Sequence, residues 1–352
     1  MPDKTKHEAR DDQFGFDDFG EDGFDEQVGE ELKAAKQLLD PAEPGIAGTP
    51  SGVGWAAAAE IVERVRPVPW LLWVVVRSVY GRSGELGEPD SHAFSVVTNL
   101  MLHAANDRAL APHRSEDEES DGKISNLTTA IDLIGSDVAG SLCFIHAVCR
   151  RVSTSLNERV WRPILDDALL RAHIGYHVGQ IAPSFGAGRG MLAGFAGRSG
   201  LAVQIASGSI EQAQKALAGL ASGVEIGEVC KDIYACDPLQ VSALSLIAGG
   251  CNRDIAMGIA AFSKREGNLL PGSEQHRWFC LFSVIEQMRM GQLEQVTDEH
   301  WRTLGYDPAA KNDLLTRVQL VQRRGHGWRW MTQSLAAEGG APARKPRKRS
   351  EG

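Results

Sequence analysis

The sequence predicts an all-α fold. Apolar residues recur at the three- and four-residue spacing of helices over residues 55–323, and no stretch alternates apolar and polar residues as a half-buried strand does. Glycine or proline stands at nearly every junction between the apolar segments, where helices end. The hydrophobic content of 43% is enough to fill a core. We therefore expect a multi-helix bundle without a sheet.

The first helices are predicted from composition and helix breakers. An alanine-rich segment with helical spacing, Trp55–Arg66, ends at the two prolines that follow it. The next helix, Trp70–Tyr80, is apolar on nearly every side, which predicts burial. A third helix is expected over Ser91–Asn106. A short fourth helix follows, with Ser125 as its N-cap and Gly135 as its C-terminal stop.

The same signals predict the remaining helices. In chain order they span Val138–Val152, Glu158–Ile181, Gly190–Ser207, Ile210–Ala221, Gly227–Tyr234, Pro238–Ala248, Arg253–Ser263, 274–290, 298–304 and 307–323. Gly190, Gly194 and Gly197 follow one another at i, i+4 and i+7, which predicts a smooth face for close helix packing. The glycine-rich stretch 185–190 lacks the Gly-Lys-Ser/Thr ending of a P-loop, so we interpret it as a connector into that helix.

Charge is concentrated at the two ends of the chain. The net charge is −9, and residues 1–31 carry 12 acidic against 3 basic side chains. Residues 341–352 carry a net charge of +4, which leaves a nearly neutral body. Binding to nucleic acid needs many cations that neutralise phosphates. The composition therefore argues against a nucleic-acid partner, except through the basic tail.

The chain divides into four predicted segments. Residues 1–54 are expected to be a disordered acidic arm and linker, 55–265 a helical domain, 266–335 a C-terminal helical extension, and 336–352 a disordered basic tail. The arm is interpreted either as a solubilising tail or as an acidic–aromatic motif that docks into a basic groove of a partner. In the second case the contact residues would be Phe14, Phe16, Phe19 and Phe24.

The six cysteines and the N-terminus indicate the compartment. No CxxC pair occurs, which argues against a zinc knuckle or a thioredoxin-like site. Cys143 and Cys149 flank His146 in apolar surroundings, so we expect a core histidine with buried thiols. The N-terminus is acidic, and the longest apolar run, Trp70–Val76, is too short to span a bilayer. We expect a soluble cytoplasmic protein without a membrane partner.

Five short segments between residues 65 and 263 occur in an order that resembles a known family. They are VRPVP at 65–69, DSHAF with VTNLMLHAAN at 90–106, ISNLTTAIDLIG at 124–135, MLAGFAGRSGL at 191–201 and EVCKDIYACD at 228–237. Together they resemble the HDOD family, whose members are all-helical, non-catalytic relatives of the HD phosphohydrolases. The resemblance implies an HD-like bundle that regulates bacterial signal transduction through protein partners, with a homo-oligomer as a further possibility.

The resemblance also locates the positions at which an active HD phosphohydrolase holds its metal ions. The first histidine would fall at Pro163, and the His-Asp pair would fall at Gly197 and Arg198. Proline and glycine offer no donor, and arginine stays cationic and repels a metal ion. We therefore expect no enzyme, no cofactor and no metal ligand. A degenerate phosphohydrolase acting on a nucleotide or cyclic dinucleotide is the alternative, and Arg198 is a candidate contact for an anionic ligand or partner.

A second candidate cluster lies on the helix expected over Glu158–Ile181. Asp166, His173 and His177 are at i, i+7 and i+11, so they fall within about 40° of one another on one helix face. Histidines four residues apart can bind a metal. The pattern first favours a solvent-exposed polar face, and a partner contact or a metal site stays open.

Overall fold

The computed structural model describes residues 26–34, 51–81, 97–107, 124–155, 158–262, 269–307, 311–325 and 328–332 of the chain. These residues form α-helices and short 3₁₀ segments, with no strand among them, so the predicted all-α fold is confirmed. The helices are α1 (residues 26–34), α2 (Ser51–Val65), α3 (Trp70–Tyr80), α4 (Thr98–Ala105), α5 (Leu127–Ile134), α6 (Ser136–Ser155), α7 (Glu158–Ile181), α8 (Gly186–Ser207), α9 (Ile210–Ala221), α10 (Ile226–Tyr234), α11 (Pro238–Ala248), α12 (Arg253–Ala261), α13 (Glu274–Met290), α14 (Asp298–Thr303) and α15 (Lys311–Arg324), with 3₁₀ segments at Leu293–Gln295 and Trp328–Thr332.

Helix bounds agree best with the prediction where the caps are strong. Helices α9 and α11 begin where predicted because Ser209 and Asp237 each form a capping box with the residue three positions on. Gly135 ends α5 with a φ of +84°, as predicted. The predicted N-cap of α5 is wrong by one residue, since the side chain of Asn126, rather than Ser125, accepts a hydrogen bond from the Thr129 amide.

The predicted disordered arm and linker, residues 1–54, need correction in two places. Residues 26–34 are helical, and Leu32 from this helix is only 1% exposed in the core. Glu31 of the same helix pairs with Arg77 of α3. Helix α2 also begins at Ser51, inside the predicted linker. The acidic composition of the segment concealed the apolar side chain that anchors α1.

Several sequence predictions fall outside the described residues. The first part of the helix expected over Ser91–Asn106 does so, and within that span the structure describes α4. The basic tail, 336–352, lies outside as well. So do the four candidate contact residues of the acidic arm, Phe14, Phe16, Phe19 and Phe24.

Helices α7 and α8 cross at the centre of the fold with their backbones in contact. A Cβ atom on Gly175 would overlap the carbonyl oxygen of Gly190, and a Cβ atom on Gly194 would overlap the carbonyl oxygen of Arg171. Only glycine allows so close an approach. The predicted smooth face is confirmed at Gly190 and Gly194. At Gly197 the prediction is wrong, because that residue faces side chains rather than a neighbouring backbone.

The remaining helices pack around this crossing in one hydrophobic core. Buried side chains of the predicted extension, among them Trp278 and Trp328, belong to the same core as those of the predicted domain 55–265. Helix α13 packs against both α7 and α8. The packing brings a helix from the C-terminal part of the described chain next to Gly197 and Arg198 of α8.

One pair of helices passes a length and hydropathy test for a membrane span. Within the described ranges, no single helix is long and apolar enough to cross a bilayer. The adjacent helices Leu127–Ile134 and Ser136–Thr154 reach the length and hydropathy of a membrane span only when they are counted as one segment. The chain bends by 101° between them.

Candidate functional site

Two of the three positions at which the HDOD resemblance would place metal ligands lie beside a cluster of charged side chains. Gly197 and Arg198 are near the middle of α8, whereas Pro163 is an exposed residue in the first half of α7. One turn beyond Pro163, Asp167 points toward Arg198. The cluster contains Asp167, Arg171, Arg198, Glu286 and Arg289, and we call it the arginine–carboxylate cluster.

Asp167 is the common partner of three arginines. Its Oδ2 lies 2.9 Å from Nε of Arg171 and 3.0 Å from Nε of Arg198. Its Oδ1 accepts a hydrogen bond from Nε of Arg289 at 2.7 Å. These arginines come from α7, α8 and α13, so one carboxylate joins three helices.

Arg171 is the buried member of the cluster. Its side chain is 2% exposed, and Glu286 of α13 is its second carboxylate partner. Gly197 lies directly against this pair, since a Cβ atom built on it would be 3.2 Å from Oε1 of Glu286. Gly197 therefore borders the ion pair of Arg171 and Glu286, with only side-chain atoms near its Cβ position.

The arginines of the cluster stabilise the ionised form of Asp167. Burial opposes ionisation of Asp167, but Arg171, Arg289 and Arg198 outweigh burial and hold the pKa of this carboxyl below its ordinary value. Burial, together with repulsion from Arg198, lowers the pKa of Arg171 to about 10. Arg171 therefore remains a cation at neutral pH. The cluster holds three positive and two negative side chains.

The residues at this position do not fit a metal ion. Asp167 and Glu286 are the only carboxylates that pair with the three arginines among the described residues, and both are already engaged. A cation would have to displace guanidinium groups and stand next to them. In the described part of the chain, no group of three or more His, Cys, Asp and Glu side chains is placed to hold a metal.

The candidate cluster Asp166, His173 and His177 is not a solvated polar face. His173 is 4% exposed, and its ring stacks on His177 at 5.0 Å and on Trp328 at 4.5 Å between centroids. The first interpretation of this face is therefore wrong, because sequence spacing did not reveal that the C-terminal segment covers it. Burial lowers the pKa of His177 to about 4. Asp166 stays 41% exposed and lies 3.9 Å from Arg162.

Residues 328–332, which we call the C-terminal strap, contact three histidines. Besides the stack of Trp328 on His173, the ring of Trp330 lies 4.6 Å from that of His103. The backbone of Met331 lies near His146 and raises its pKa, against the larger effect of burial. Trp328 and Met331 are fully buried, so the strap is part of the core.

The remaining candidate motifs have structural roles. Cys143 and Cys149 are buried, and burial raises the pKa of both thiols, so neither is an activated nucleophile. His146 is half-buried, and burial lowers its pKa to about 4. The amide of Gly188, in the glycine-rich stretch, donates to Oδ2 of Asp137 at 2.8 Å. A side-chain carboxylate thus binds one of the amides of this stretch.

Sequence reasoning identified Arg198 and missed the other four members of the arginine–carboxylate cluster. One local signal was present: Asp167 and Arg171 are four residues apart, in a segment that is otherwise largely apolar. Glu286 and Arg289 gave no signal, because more than a hundred positions separate them from Asp167.

Comparison with known proteins agrees at the level of the fold. No protein-family model matches the sequence, and no curated protein matches it. A candidate phosphohydrolase from Shewanella amazonensis aligns with a TM-score of 0.54 and 16% sequence identity, over 80% of this chain and 98% of that one. An HDOD domain protein of unknown function from Geobacter sulfurreducens aligns with a TM-score of 0.42 and 11% identity, over 83% and 98%. The predicted HD/HDOD-like fold is confirmed, and the similarity shows the fold alone.

Proposed function

We propose that this chain is a non-catalytic regulatory module that acts by binding protein partners. The observation that carries the proposal is the arginine–carboxylate cluster, which includes one of the positions at which the HDOD resemblance would place a metal ligand, Arg198. Metal-dependent hydrolysis of a phosphoester needs a cation held by anionic or neutral donors, with an open position for water. The side chains present here supply three guanidinium groups instead, each bound to the carboxylate of Asp167.

The cluster also gives a reason why the fold can do without a metal ion. A metal joins its ligands from several helices, and here Asp167 joins α7, α8 and α13 through hydrogen bonds to charged groups. The HDOD resemblance implies the same kind of role, a cytoplasmic regulator in bacterial signal transduction. The proposed function is therefore recognition of a partner by helix faces and by the charged ends of the chain.

The acidic arm is the first place to look for the partner contact. Its phenylalanines, between acidic residues, suit a basic groove with apolar pockets, either on another protein or on a second copy of this chain. The basic tail, residues 341–352, is the one segment proposed to touch nucleic acid. Binding to a purified partner, measured with and without residues 1–25, tests the arm while leaving α1 in place.

Metal analysis and a hydrolysis assay test the proposal directly. We expect the purified chain to contain far less than one equivalent of manganese, iron or zinc and to leave linear and cyclic nucleotides intact. A stoichiometric metal together with hydrolysis would overturn the proposal in favour of a degenerate phosphohydrolase. Asp167→Asn is the matched variant, because a metal held at this site would be lost with it.

A further inference from the structure

We propose that Arg198 and Arg289 form a binding site for a small phosphate-bearing ligand on the solvent-facing side of the arginine–carboxylate cluster. The inference rests on the proposed function, which assigns no metal ion to the arginine–carboxylate cluster. It deepens that function by naming the class of ligand. It assigns to the cluster a ligand class in addition to its structural role.

The hydrogen bonds of the two arginines leave their outer nitrogens available. Both contact Asp167 through Nε, at 3.0 Å for Arg198 and 2.7 Å for Arg289. Nη1 of Arg198 donates to the carbonyl oxygen of Gly197 at 3.1 Å. Among the described residues, Nη2 of Arg198 and both Nη atoms of Arg289 have no hydrogen-bond partner, and none of them is a buried atom. Three donors therefore reach solvent from two adjacent guanidinium groups.

Asp167 fixes the orientation of the guanidinium groups of Arg198 and Arg289. Asp167 holds both guanidinium groups by the two oxygens of one carboxylate, so they lie side by side. Arg171 and Glu286 form the inner part of the cluster, in contact with Gly197. The side chains of Arg198 and Arg289 are 27% and 35% exposed, so a ligand would meet them partly desolvated. Partial burial and fixed orientation both strengthen a hydrogen bond to a charged group.

The charge balance favours an anion. The cluster has three guanidinium groups and two carboxylates, which leaves one positive charge in excess. Arg171 keeps its charge at neutral pH because its pKa is still about 10. A carboxylate is satisfied by a single guanidinium fork, whereas a phosphate presents several oxygens, which the two Nη atoms of Arg289 and Nη2 of Arg198 can share. A phosphate group is therefore the anion that suits this pair.

Calorimetric titration of the full chain tests the proposal. The probes are inorganic phosphate, AMP and adenosine at constant ionic strength. We expect saturable binding of phosphate and AMP and none of adenosine. Tighter binding of AMP than of phosphate would indicate a phosphorylated nucleoside, and equal binding would indicate that the phosphate group alone is recognised.

Substitutions locate the site. Arg289→Gln should weaken phosphate and AMP binding about tenfold or more, because it removes charge-assisted hydrogen bonds. Arg162→Gln is the matched control, since Arg162 is a half-exposed arginine of α7 outside the cluster, and it should bind as the unmodified chain does. If Arg289→Gln fails to fold, Arg289→Lys keeps the charge but removes the fork, and should also weaken binding.

Two results would overturn the inference: no saturable binding of phosphate or AMP, or equal affinities for the unmodified chain and the folded Arg289 variant. The metal content and hydrolysis of the same preparation separate this failure from failure of the proposed function. A metal-free, inactive chain that binds no phosphate loses only the ligand assignment. A chain that contains a metal and hydrolyses a nucleotide loses the proposed function as well.

Discussion

At the scale of single residues, Asp167 has the central position. It binds Arg171 of its own helix and two arginines that come from α8 and α13. Its neighbour Asp166 differs by one residue in position and faces outward, 3.9 Å from Arg162. The pair shows how a rotation of 100° along a helix separates a buried network from a surface ion pair.

The contrast between these neighbours gives the first prediction. Asp167→Asn should lower the free energy of unfolding by roughly 2–4 kcal/mol, because three arginines lose a common counter-charge in a partly buried site. Asp166→Asn should change it by less than about 0.5 kcal/mol, as for other exposed ion pairs. Urea denaturation of both variants measures the difference. Equal losses would show that the cluster does not hold the helices together.

The lowered pKa values of two histidines predict how the free energy of unfolding depends on pH. Burial lowers the pKa of His146 and of His177 to about 4, whereas an unfolded histidine titrates near 6.5. Between these values the unfolded chain binds protons that the folded chain does not. Stability should therefore be complete above about pH 6.5 and fall as the pH drops toward 4, by on the order of 2–3 kcal/mol for each histidine.

Chemical denaturation at several pH values checks this dependence. The variants His146→Gln and His177→Gln should each show a shallower loss between pH 6.5 and 4. The depressed pKa of Asp167 acts in a lower range, because its contribution is lost as the pH falls below the ordinary range of a carboxyl. An unchanged slope in both histidine variants would contradict the assignment.

At the scale of elements, the crossing of α7 and α8 decides which residues can meet. Gly175 and Gly190 bring the two backbones together, and so do Gly194 and the carbonyl oxygen of Arg171. This close approach places Arg198 beside Asp167 and leaves a gap at Gly197 that the side chains of Arg171 and Glu286 fill.

Two glycines of α8 give a matched prediction. Gly194→Ala should destabilise the protein by roughly 1–3 kcal/mol, because the new methyl group overlaps a backbone oxygen and must push the helices apart. Gly197→Ala should be neutral or stabilising by up to about 1 kcal/mol, because alanine favours the helix and its methyl group meets the movable carboxylate of Glu286. Thermal unfolding of both variants checks the order, and a larger loss at Gly197 would contradict it.

At the scale of the whole molecule, segments from both ends complete the core. The C-terminal strap buries Trp328 and Met331 against α6 and α7, and Arg150 of α6 donates to the carbonyl oxygen of Thr332 at 2.9 Å. Helix α1 contributes Leu32. The folded unit therefore extends further toward both ends than the crossing helices alone.

Helix α1 gives the last prediction. Leu32→Ala should lower the free energy of unfolding by roughly 2–3 kcal/mol, because it leaves a cavity where a fully buried leucine packs. Deletion of residues 1–25, which keeps α1, should leave the melting temperature unchanged. A melting temperature that falls with the deletion but not with Leu32→Ala would show that the acidic arm, rather than α1, stabilises the fold.

The sequence by itself determined the local features of this protein. The helix class, most helix bounds and the caps at Ser209 and Asp237 follow from spacing and from residues within four positions of one another. The identities of Gly197 and Arg198, which offer no metal ligand where the HDOD resemblance would place one, were also readable from the sequence. These features need no knowledge of the chain beyond one or two turns.

Only the tertiary structure decided which charged residues meet at Arg198 and which polar residues are buried. Asp167 and Arg289 are 122 positions apart, and His173 is covered by Trp328 from the end of the described chain. Contacts over such separations leave no periodic pattern in the sequence. Each residue fits the spacing of its own helix whether or not its distant partner is present. The energy of these pairs arises where the packed helices exclude water, and that packing depends on the whole core.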